Sequence, residues 1–471
     1  MPAQPAPPQT SPVTFNAIVL AAGKGTRMYS DRAKVLHEAA GLPLVAWMHR
    51  IAGDAGAGQV VVVVGHQADE VAAALPPGTA TAHQAEQLGT GHAAAVGLER
   101  LDPCDVVVVL PGDMPLIRPE TIASLVAGHV AAGASATVLS VDLADPTGYG
   151  RVMRDATGAV TAIIEHGDAT DEQRAITEVN TSVYAFDPAV LDKALAALTD
   201  HNVQGERYLT DVIGVLVSDD RAVGAVAANP IEGAGVNSHD QLAAAAAELR
   251  RRINTAWMAA GVFMEDPARV SIGANVALSP DVRLWGDVHL MGTTTVASGA
   301  ELGPSVHIAD TTIAEGARVW FAAVRGSTIG RDAEVGPFVS LRQGTVLEES
   351  SKAGTFVEIK GSVVGPGSKV PHLSYVGDAT IGADSNIGAG TITANYDGYR
   401  KHKTVIGDGV RIGSDTVLVA PVEVGDGAWT GAGSVITNDV APDALAVTRS
   451  PQREVPGYAQ RRKARADEER D

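Results

Sequence analysis

Val270-Ser271-Ile272-Gly273-Ala274-Asn275-Val276-Ala277-Leu278-Ser279-Pro280-Asp281-Val282-Arg283-Leu284-Trp285-Gly286-Asp287-Val288-His289-Leu290 repeats apolar residues every six positions, in two parallel series. One series is Val270, Val276, Val282 and Val288; the other is Ile272, Leu278, Leu284 and Leu290. Six matches neither the period of a helix nor that of a single strand. It suits a chain that coils through short parallel strands, with one hexad per face and about three hexads closing each turn. The spacing returns at Ile406, Ile412, Leu418 and Val424, with Gly407, Gly413 and Gly425 beside three of them. An antiparallel sandwich would space its strands by roughly 8–12 residues, so the hexads predict a parallel β-helix over 263–453. The period is expected to break near Ser340–Asp378 and Thr391–Thr404, and insertions in solenoids tend to carry function.

Upstream, the alanine-rich stretch 241–262 reads as one connecting helix. Before it, from Phe15, short β-branched runs alternate with helical segments: Ala17–Leu20 then Leu44–Ile51, Val60–Val64 then Ala68–Leu75, Val106–Leu110 then Pro119–Val130. That alternation predicts a Rossmann-like α/β domain over 15–240, with a parallel, doubly wound sheet. Residues 1–14 are Pro/Gln/Ala-rich and read as a disordered tail; 454–471 mix both charges without an apolar face and read as a charged, solvated tail.

Composition bounds the partners. Over 471 residues, 36 Lys plus Arg stand against 55 Asp plus Glu, a formal charge of -19. No diffuse basic field exists to hold a nucleic-acid backbone, so anionic ligands must be met by local clusters. The single Cys104 can form no intrachain disulfide and precedes the apolar run Val106–Leu110, which predicts a buried, inert thiol and fits a reducing cytoplasm. No stretch approaches the roughly 18 apolar residues of a membrane span, and no signal pattern opens the chain, so no membrane insertion is expected.

The first strand ends in Leu20-Ala21-Ala22-Gly23-Lys24-Gly25-Thr26-Arg27-Met28. Such a Gly-rich turn offers backbone N–H groups to phosphate, while Lys24 and Arg27 add charge. It is neither a Walker A loop nor a G-x-G-x-x-G fingerprint. Lys34 follows in Ala33-Lys34-Val35-Leu36, and Asp113 stands just past Val106–Leu110, where ligands of α/β sheets collect.

Together these segments resemble the sugar-nucleotide pyrophosphorylase superfamily, whose opening signature is L-A-A-G-x-G-T-R-M followed by a lysine. Further segments narrow the resemblance to the bacterial bifunctional N-acetylglucosamine-1-phosphate uridyltransferase/glucosamine-1-phosphate acetyltransferase family, over about Phe15 to Arg453. For the first domain the resemblance implies a uracil-reading loop at Gln84-Ala85-Glu86-Gln87-Leu88-Gly89-Thr90-Gly91-His92, with Gln84 and Gln87 on base edges and Gly89 allowing close backbone approach. It implies a UTP and UDP-sugar site from Leu20, Ala21, Ala22, Gly23, Lys34, Gln84, Gln87, Gly89, Thr90, Gly150, Glu165, Asn180 and Asn237. It also implies Mg²⁺ held by Asp113 and Asn237, with Arg27 and Lys34 stabilising transferred charge. Pro111 stands where an aromatic often precedes Gly-Asp, and Ser182 where Gly often follows Asn-Thr.

For the second domain the resemblance rests on Ser340-Leu341-Arg342-Gln343-Gly344, Phe356-Val357-Glu358-Ile359-Lys360, Lys369–Asp378 and Asn395-Tyr396-Asp397-Gly398. It implies His372 as general base, and Arg342, Lys360, Tyr375, Asn386, Asn395 and Lys401 around glucosamine 1-phosphate. Acetyl-CoA would meet Asn395, Tyr396, Ser414, Ala432 and Arg449. The substrates implied are UTP, glucosamine 1-phosphate, N-acetylglucosamine 1-phosphate and acetyl-CoA, in a left-handed β-helix that forms a homotrimer. A single-activity nucleotidyltransferase with a structural or regulatory β-helix is the rival expectation, and a non-catalytic scaffold is a third. The set Arg342, Lys360, His372, Tyr375 and Asn395 argues against the rival, and the set Asp113, Asn237, Arg27 and Lys34 argues against the scaffold.

Overall fold

Strand Phe15–Leu20 is buried along nearly its whole length and runs parallel to Val60–Val64 on one side and Val106–Pro111 on the other. A computed structural model describes residues 13–202 and 204–470, which form two compact units dividing between Arg252 and Ile253, inside helix His239–Ala259. Most of the expected tail 1–14 lies outside the described residues. Within it, Thr14 is tied to Asp105 by its backbone N–H and its hydroxyl, each at 2.8 Å.

In the first unit the sheet order is Val223–Ala227, Ala136–Asp142, Glu178–Phe186, Val106–Pro111, Phe15–Leu20, Val60–Val64, Ala80–His83. The sheet is mixed, which corrects the all-parallel expectation. Glu178–Phe186 runs antiparallel to both of its neighbours. The physical reason lies in what precedes it: after Ala136–Asp142 come the hairpin Arg151–Arg154/Val160–Ile164 and the short helix Asp171–Arg174, none long enough to carry a parallel crossover over the sheet face. Val106–Pro111 and Phe15–Leu20 pair Leu20 with Pro111, so the loops after them leave the sheet side by side. That juxtaposition builds the first site. Cys104 is partly buried, its thiol donates to the Val106 carbonyl at 3.2 Å, and burial pushes its pKa up, so it stays protonated.

In the second unit three parallel sheets form the faces of a prism, and successive strands join each sheet in turn. Val270 pairs with Val288 and Val288 with Val306, eighteen residues per coil. Both hexad series point inward: Val270, Val282, Val288, Leu284 and Leu290 are fully buried. Each such side chain contributes roughly 1.5–3 kcal/mol by burial. This is the architecture of the left-handed hexapeptide β-helix. At inner corners, hydroxyls bridge consecutive coils: Thr345 Oγ1 donates to the Ile359 carbonyl at 3.1 Å and Ser362 Oγ to the Val376 carbonyl at 3.4 Å.

Only one of the two expected breaks is an insertion. Over 340–378 the coils continue, Ser340 pairing with Glu358 and Glu358 with Tyr375. The residues there depart from the hexad pattern because polar side chains occupy outward positions. Ile392 pairs with Val417, twenty-five residues on, so the loop after Ala394 is extruded from that coil. The end of helix His239–Ala259 packs Ile253 and Trp257 on the first coil, and Asn254 Nδ2 donates to the carbonyls of Pro267 and Val270 at 2.8 and 2.9 Å. The charged C-terminal segment contains helix Tyr458–Glu468, exposed at every position.

Candidate functional sites

The first site is a cavity of ≈ 690 Å³ at the carboxyl ends of the central strands, a size suited to a nucleotide. Leu20, Ala21, Ala22, Gly23, Arg27, Lys34, Gln84, Gln87, Gly89, Thr90, Asp113 and Glu165 line it. Gly25 is held at φ 67, and a Cβ there would collide with Cβ of Lys34, so the loop and the Lys34 segment close on one another. Lys34 Nζ donates to Asp113 Oδ2 and, at 2.9 Å, to Asn237 Oδ1; Arg27 Nη2 donates to the same Asn237 oxygen at 2.8 Å. Four residues expected to handle phosphate and metal thus converge, although Lys34 and Asn237 are 203 positions apart.

Gln84 is buried, and its amide nitrogen is engaged with the Gly89 carbonyl and His92 Nδ1, each at 3.1 Å. Gln87 Nε2 donates to the Ala22 carbonyl at 2.8 Å. The donor halves of both amides therefore brace the loops around the cavity rather than pointing free. Gly89 sits at φ 108, and a Cβ there would lie 2.5 Å from the Arg207 carbonyl oxygen, which excludes other residues.

Glu165 accepts from Thr210 Oγ1 at 3.2 Å, and burial raises its pKa above the usual carboxylate range, with the Asp211 and Asp168 charges adding to the shift. Gly150 lies beneath it, a Cβ there falling 3.5 Å from both carboxylate oxygens. Asn180 is buried; its Nδ2 donates to Tyr184 Oη at 2.7 Å, and its Oδ1 accepts from the Ser182 backbone at 3.0 Å. Gly150 and Asn180 back the cavity wall and are not among its lining residues. Ser182 holds φ 62, a conformation in which glycine is freer, and this is the position where Gly is frequent in the resemblance.

The second site lies on the outer surface of the β-helix. Arg342 and Lys360 are cross-strand partners, so two cations stand on neighbouring strands of one face. Like charges so placed repel, and two carboxylates offset them: Arg342 pairs with Glu358 at 3.0 Å and Lys360 with Asp378 at 3.8 Å. Asn395 Nδ2 donates to Asp378 Oδ2 at 2.6 Å. The Lys360 side chain, by hydrogen bonding and by its charge, holds Lys401 below the usual lysine range. Tyr375 Oη and Asn395 Nδ2 both crowd Gly377, where a Cβ would lie 2.5 and 2.6 Å from them. Arg342, Lys360, Tyr375, Asn395 and Lys401 are therefore one cluster.

The extruded loop is preformed. Asp397 accepts from the backbone N–H of Arg400 and Tyr399 at 2.6 and 2.8 Å and from His402 Nε2 at 2.7 Å, which pull its pKa down to about 2. Tyr396 bridges Lys401, and its hydroxyl donates to the Gly398 carbonyl at 2.6 Å. Asp378 and His402 are the supports that sequence reasoning missed; the Asp397-Gly398 turn pair was the available signal for the loop.

His372 ends strand Lys369–His372 with its side chain exposed, one corner away from Tyr375. Asn386 is not brought to the cluster: it pairs with Lys369 and Arg411 on a different sheet from Lys360 and Tyr375. Ser414, Ala432 and Arg449 follow one another on a rim nearer the C-terminus, where the Gly433 N–H donates to the Ser414 carbonyl at 2.8 Å and Arg449 Nη1 to the Ala432 carbonyl at 2.7 Å.

Residues 17–204 match the MobA-like NTP transferase domain, and residues 403–438 match the bacterial transferase hexapeptide (six repeats). The chain is similar to the bifunctional protein GlmU of Streptomyces coelicolor, at 49% identity over 453 residues covering 95% of this chain and 94% of that one. It is similarly related to the bifunctional protein GlmU of Mycolicibacterium gilvum, at 49% over 458 residues (95% and 92%), and of Trichlorobacter lovleyi, at 47% over 441 residues (93% and 96%). Both halves and their order match along nearly the whole length, and the chain belongs to the bifunctional GlmU family.

Proposed function

We propose that this chain makes UDP-N-acetylglucosamine in two steps: it acetylates glucosamine 1-phosphate with acetyl-CoA, then transfers UMP from UTP to N-acetylglucosamine 1-phosphate, releasing pyrophosphate. The observation that carries the reading is the presence in one chain of two charge clusters: Lys34, Arg27, Asp113 and Asn237 in the first unit, and Arg342, Lys360 and Lys401 in the second. A β-helix serving assembly alone has no use for three crowded cations that two carboxylates, Glu358 and Asp378, offset only in part, an excess that suits an anionic ligand.

In uridylyl transfer an oxygen of the sugar phosphate attacks the α-phosphorus of UTP, and the bond to pyrophosphate breaks. No side-chain nucleophile is needed; positioning and charge neutralisation suffice. Backbone N–H groups of the Gly23–Arg27 loop hold phosphate, and Lys34 and Arg27 offset its charge. The Asp113 carboxylate and Asn237 amide oxygen face a common point, marked by their shared partner Lys34 Nζ, and are hard oxygen donors of the kind Mg²⁺ takes. Bound there, Mg²⁺ would supply further charge neutralisation at the phosphates. Glu165 faces the sugar and its N-acetyl group, with Gly150 and Asn180 shaping the wall behind it.

In acetyl transfer the amine nitrogen attacks the thioester carbon and passes a proton to His372, and coenzyme A leaves as the thiol after protonation. Arg342, Lys360 and Lys401 hold the sugar phosphate, and Tyr375 and Asn395 orient the ring. Tyr396, Ser414, Ala432 and Arg449 receive the coenzyme. Asn386 on another face calls for a neighbouring copy, as does a ladder of apolar corners: Phe321, Phe338, Phe356 and Leu373 all hold positive φ and are 38–63% exposed. Phe338 stacks on Phe356 at 5.3 Å and meets Phe321 at 5.4 Å in a tilted pair, and the ladder ends beside His372. A homotrimer covering that ladder is the assembly we propose. No described helix is long and apolar enough to cross a membrane, and a cytoplasmic setting fits the lone protonated thiol. The reading is tested by supplying acetyl-CoA, glucosamine 1-phosphate and UTP together and following thiol and pyrophosphate. Thiol without pyrophosphate, or the reverse, would reduce the chain to one activity.

A further inference from the structure

Strand Val60–Val64 ends in Gly65-His66-Gln67, and this turn grips both halves of the nucleotide site. The His66 N–H donates to the Ala22 carbonyl of the phosphate loop at 3.1 Å, and Gly65 is so close that a Cβ there would lie 2.9 Å from Ala22 Cβ. Gln67 reaches the other half. Its Oε1 accepts from the Ala33 N–H at 2.6 Å, and its Nε2 donates to the Asp31 carbonyl at 2.9 Å. Ala33 is buried and immediately precedes Lys34, which opens the 3₁₀ turn Lys34–Leu36.

Gln67 holds φ 52 and ψ 47 at the start of helix Ala68–Ala73, the left-handed region where a side chain other than Gly, Asn or Asp is disfavoured. A glycine would suit that backbone better, yet only a long amide reaches both Asp31 and Ala33. A carboxylate could accept from Ala33 but could not donate to Asp31, and an aliphatic chain could do neither.

We propose that Gln67 is a positioning residue for uridylyl transfer: it locks the backbone of 31–33 so that the Lys34 ammonium is aimed at the phosphates, and it tolerates an unfavourable backbone conformation to do so. The inference rests on the nucleotidyltransferase reading of the first site. Gln67 does not line the nucleotide cavity, and its side-chain amide bonds Ala33 and Asp31 rather than Asp113 or Asn237; it acts through Lys34. Freed from Gln67, the backbone before Lys34 shifts while the ammonium keeps its bonds to Asp113 and Asn237, so the lysine is presented from a displaced base, and misplacement on the scale of an ångström costs up to about a hundredfold.

The test compares Gln67→Met, Gln67→Gly and Gln67→Glu in the full chain, measuring kcat and KM for uridylyl transfer, acetyl transfer and thermal stability. Met and Gly should lower kcat about ten- to a hundredfold, with KM for N-acetylglucosamine 1-phosphate nearly unchanged and acetyl transfer at the wild-type rate. The Gly variant loses both side-chain bonds but stands on a backbone that glycine adopts freely, so it should melt above the Met variant while losing as much rate, which separates lost aim from lost fold. Glu should recover part of the rate through the Ala33 bond. Met or Gly variants with uridylyl kcat within twofold of wild type, or a loss matched by acetyl transfer, would overturn the proposal. A wild-type chain without uridylyl transfer would instead overturn the reading beneath it.

Discussion

Replacing Asp113 with alanine removes a carboxylate that is only 14% exposed from a lysine that is 17% exposed, and it deletes one of the two oxygens suited to a divalent cation. Two consequences can be sized separately. For folding, Lys34 loses a charge-assisted hydrogen bond worth about 1.5–3 kcal/mol, partly offset because Asn237 Oδ1 stays within 2.9 Å. A loss of about 1–2 kcal/mol lowers the melting temperature of a unit this size by roughly 2–8 °C. For catalysis, losing one preorganised electrostatic partner of the transition state costs about 2.7–4 kcal/mol, or about 10²–10³ in rate. A weakened metal site adds to that, so uridylyl transfer should fall at least about a thousandfold. Acetyl transfer should persist, since its residues lie in a unit whose core is its own. Asp113→Asn keeps an oxygen for Lys34 and should recover the melting temperature but not the rate. Pyrophosphate release and thiol release are followed on one preparation. Equal loss of both in a folded variant, or pyrophosphate release within tenfold of wild type, would refute the reasoning.

His372→Ala should lower acetyl transfer by about 10²–10⁴ while uridylyl transfer from N-acetylglucosamine 1-phosphate is unchanged; thiol release near the wild-type rate would make His372 structural. Glu165 is a raised carboxyl, so its protonated form is the one that folding favours. From acid upward the unfolded chain ionises first, and stability falls until folded Glu165 ionises too. Glu165→Gln should therefore match wild type in acid and melt progressively higher as pH climbs from the ordinary glutamate range toward neutrality, whereas a gap independent of pH would contradict the burial argument. Phe338, with a neighbouring ring on each side of the ladder, should be indispensable to the proposed assembly: Phe338→Asp should give a monomer by light scattering, with acetyl transfer lost and uridylyl transfer kept. A trimeric variant would show that the ladder is not the covered surface.

The β-helix was legible because its rule is local. Each apolar position packs against the residues one hexad and one coil away, as Val270 meets Val288, so burial repeats along the chain and the period can be counted. The phosphate loop was legible for a related reason, since Gly23–Arg27 and Lys34 sit within one turn after the first strand. Other features depend on distant partners. Nothing within Glu178–Phe186 announces that it runs antiparallel to its neighbours, because strand direction is set by the connection that leads into it, not by the strand's own residues. The meeting of Asn237 with Lys34 and Arg27 spans more than two hundred residues and was inferred from resemblance, not from spacing. Composition could not reveal that Asp378 steadies Asn395 and Lys360, that Gln84 and Gln87 spend their amide nitrogens on loop carbonyls, or that Gln67 grips the backbone before Lys34. Sequence by itself determined the periodic core and the kinds of chemistry available; tertiary structure alone decided which charges meet, because a hydrogen bond needs its partners within about 3 Å, whatever their separation along the chain.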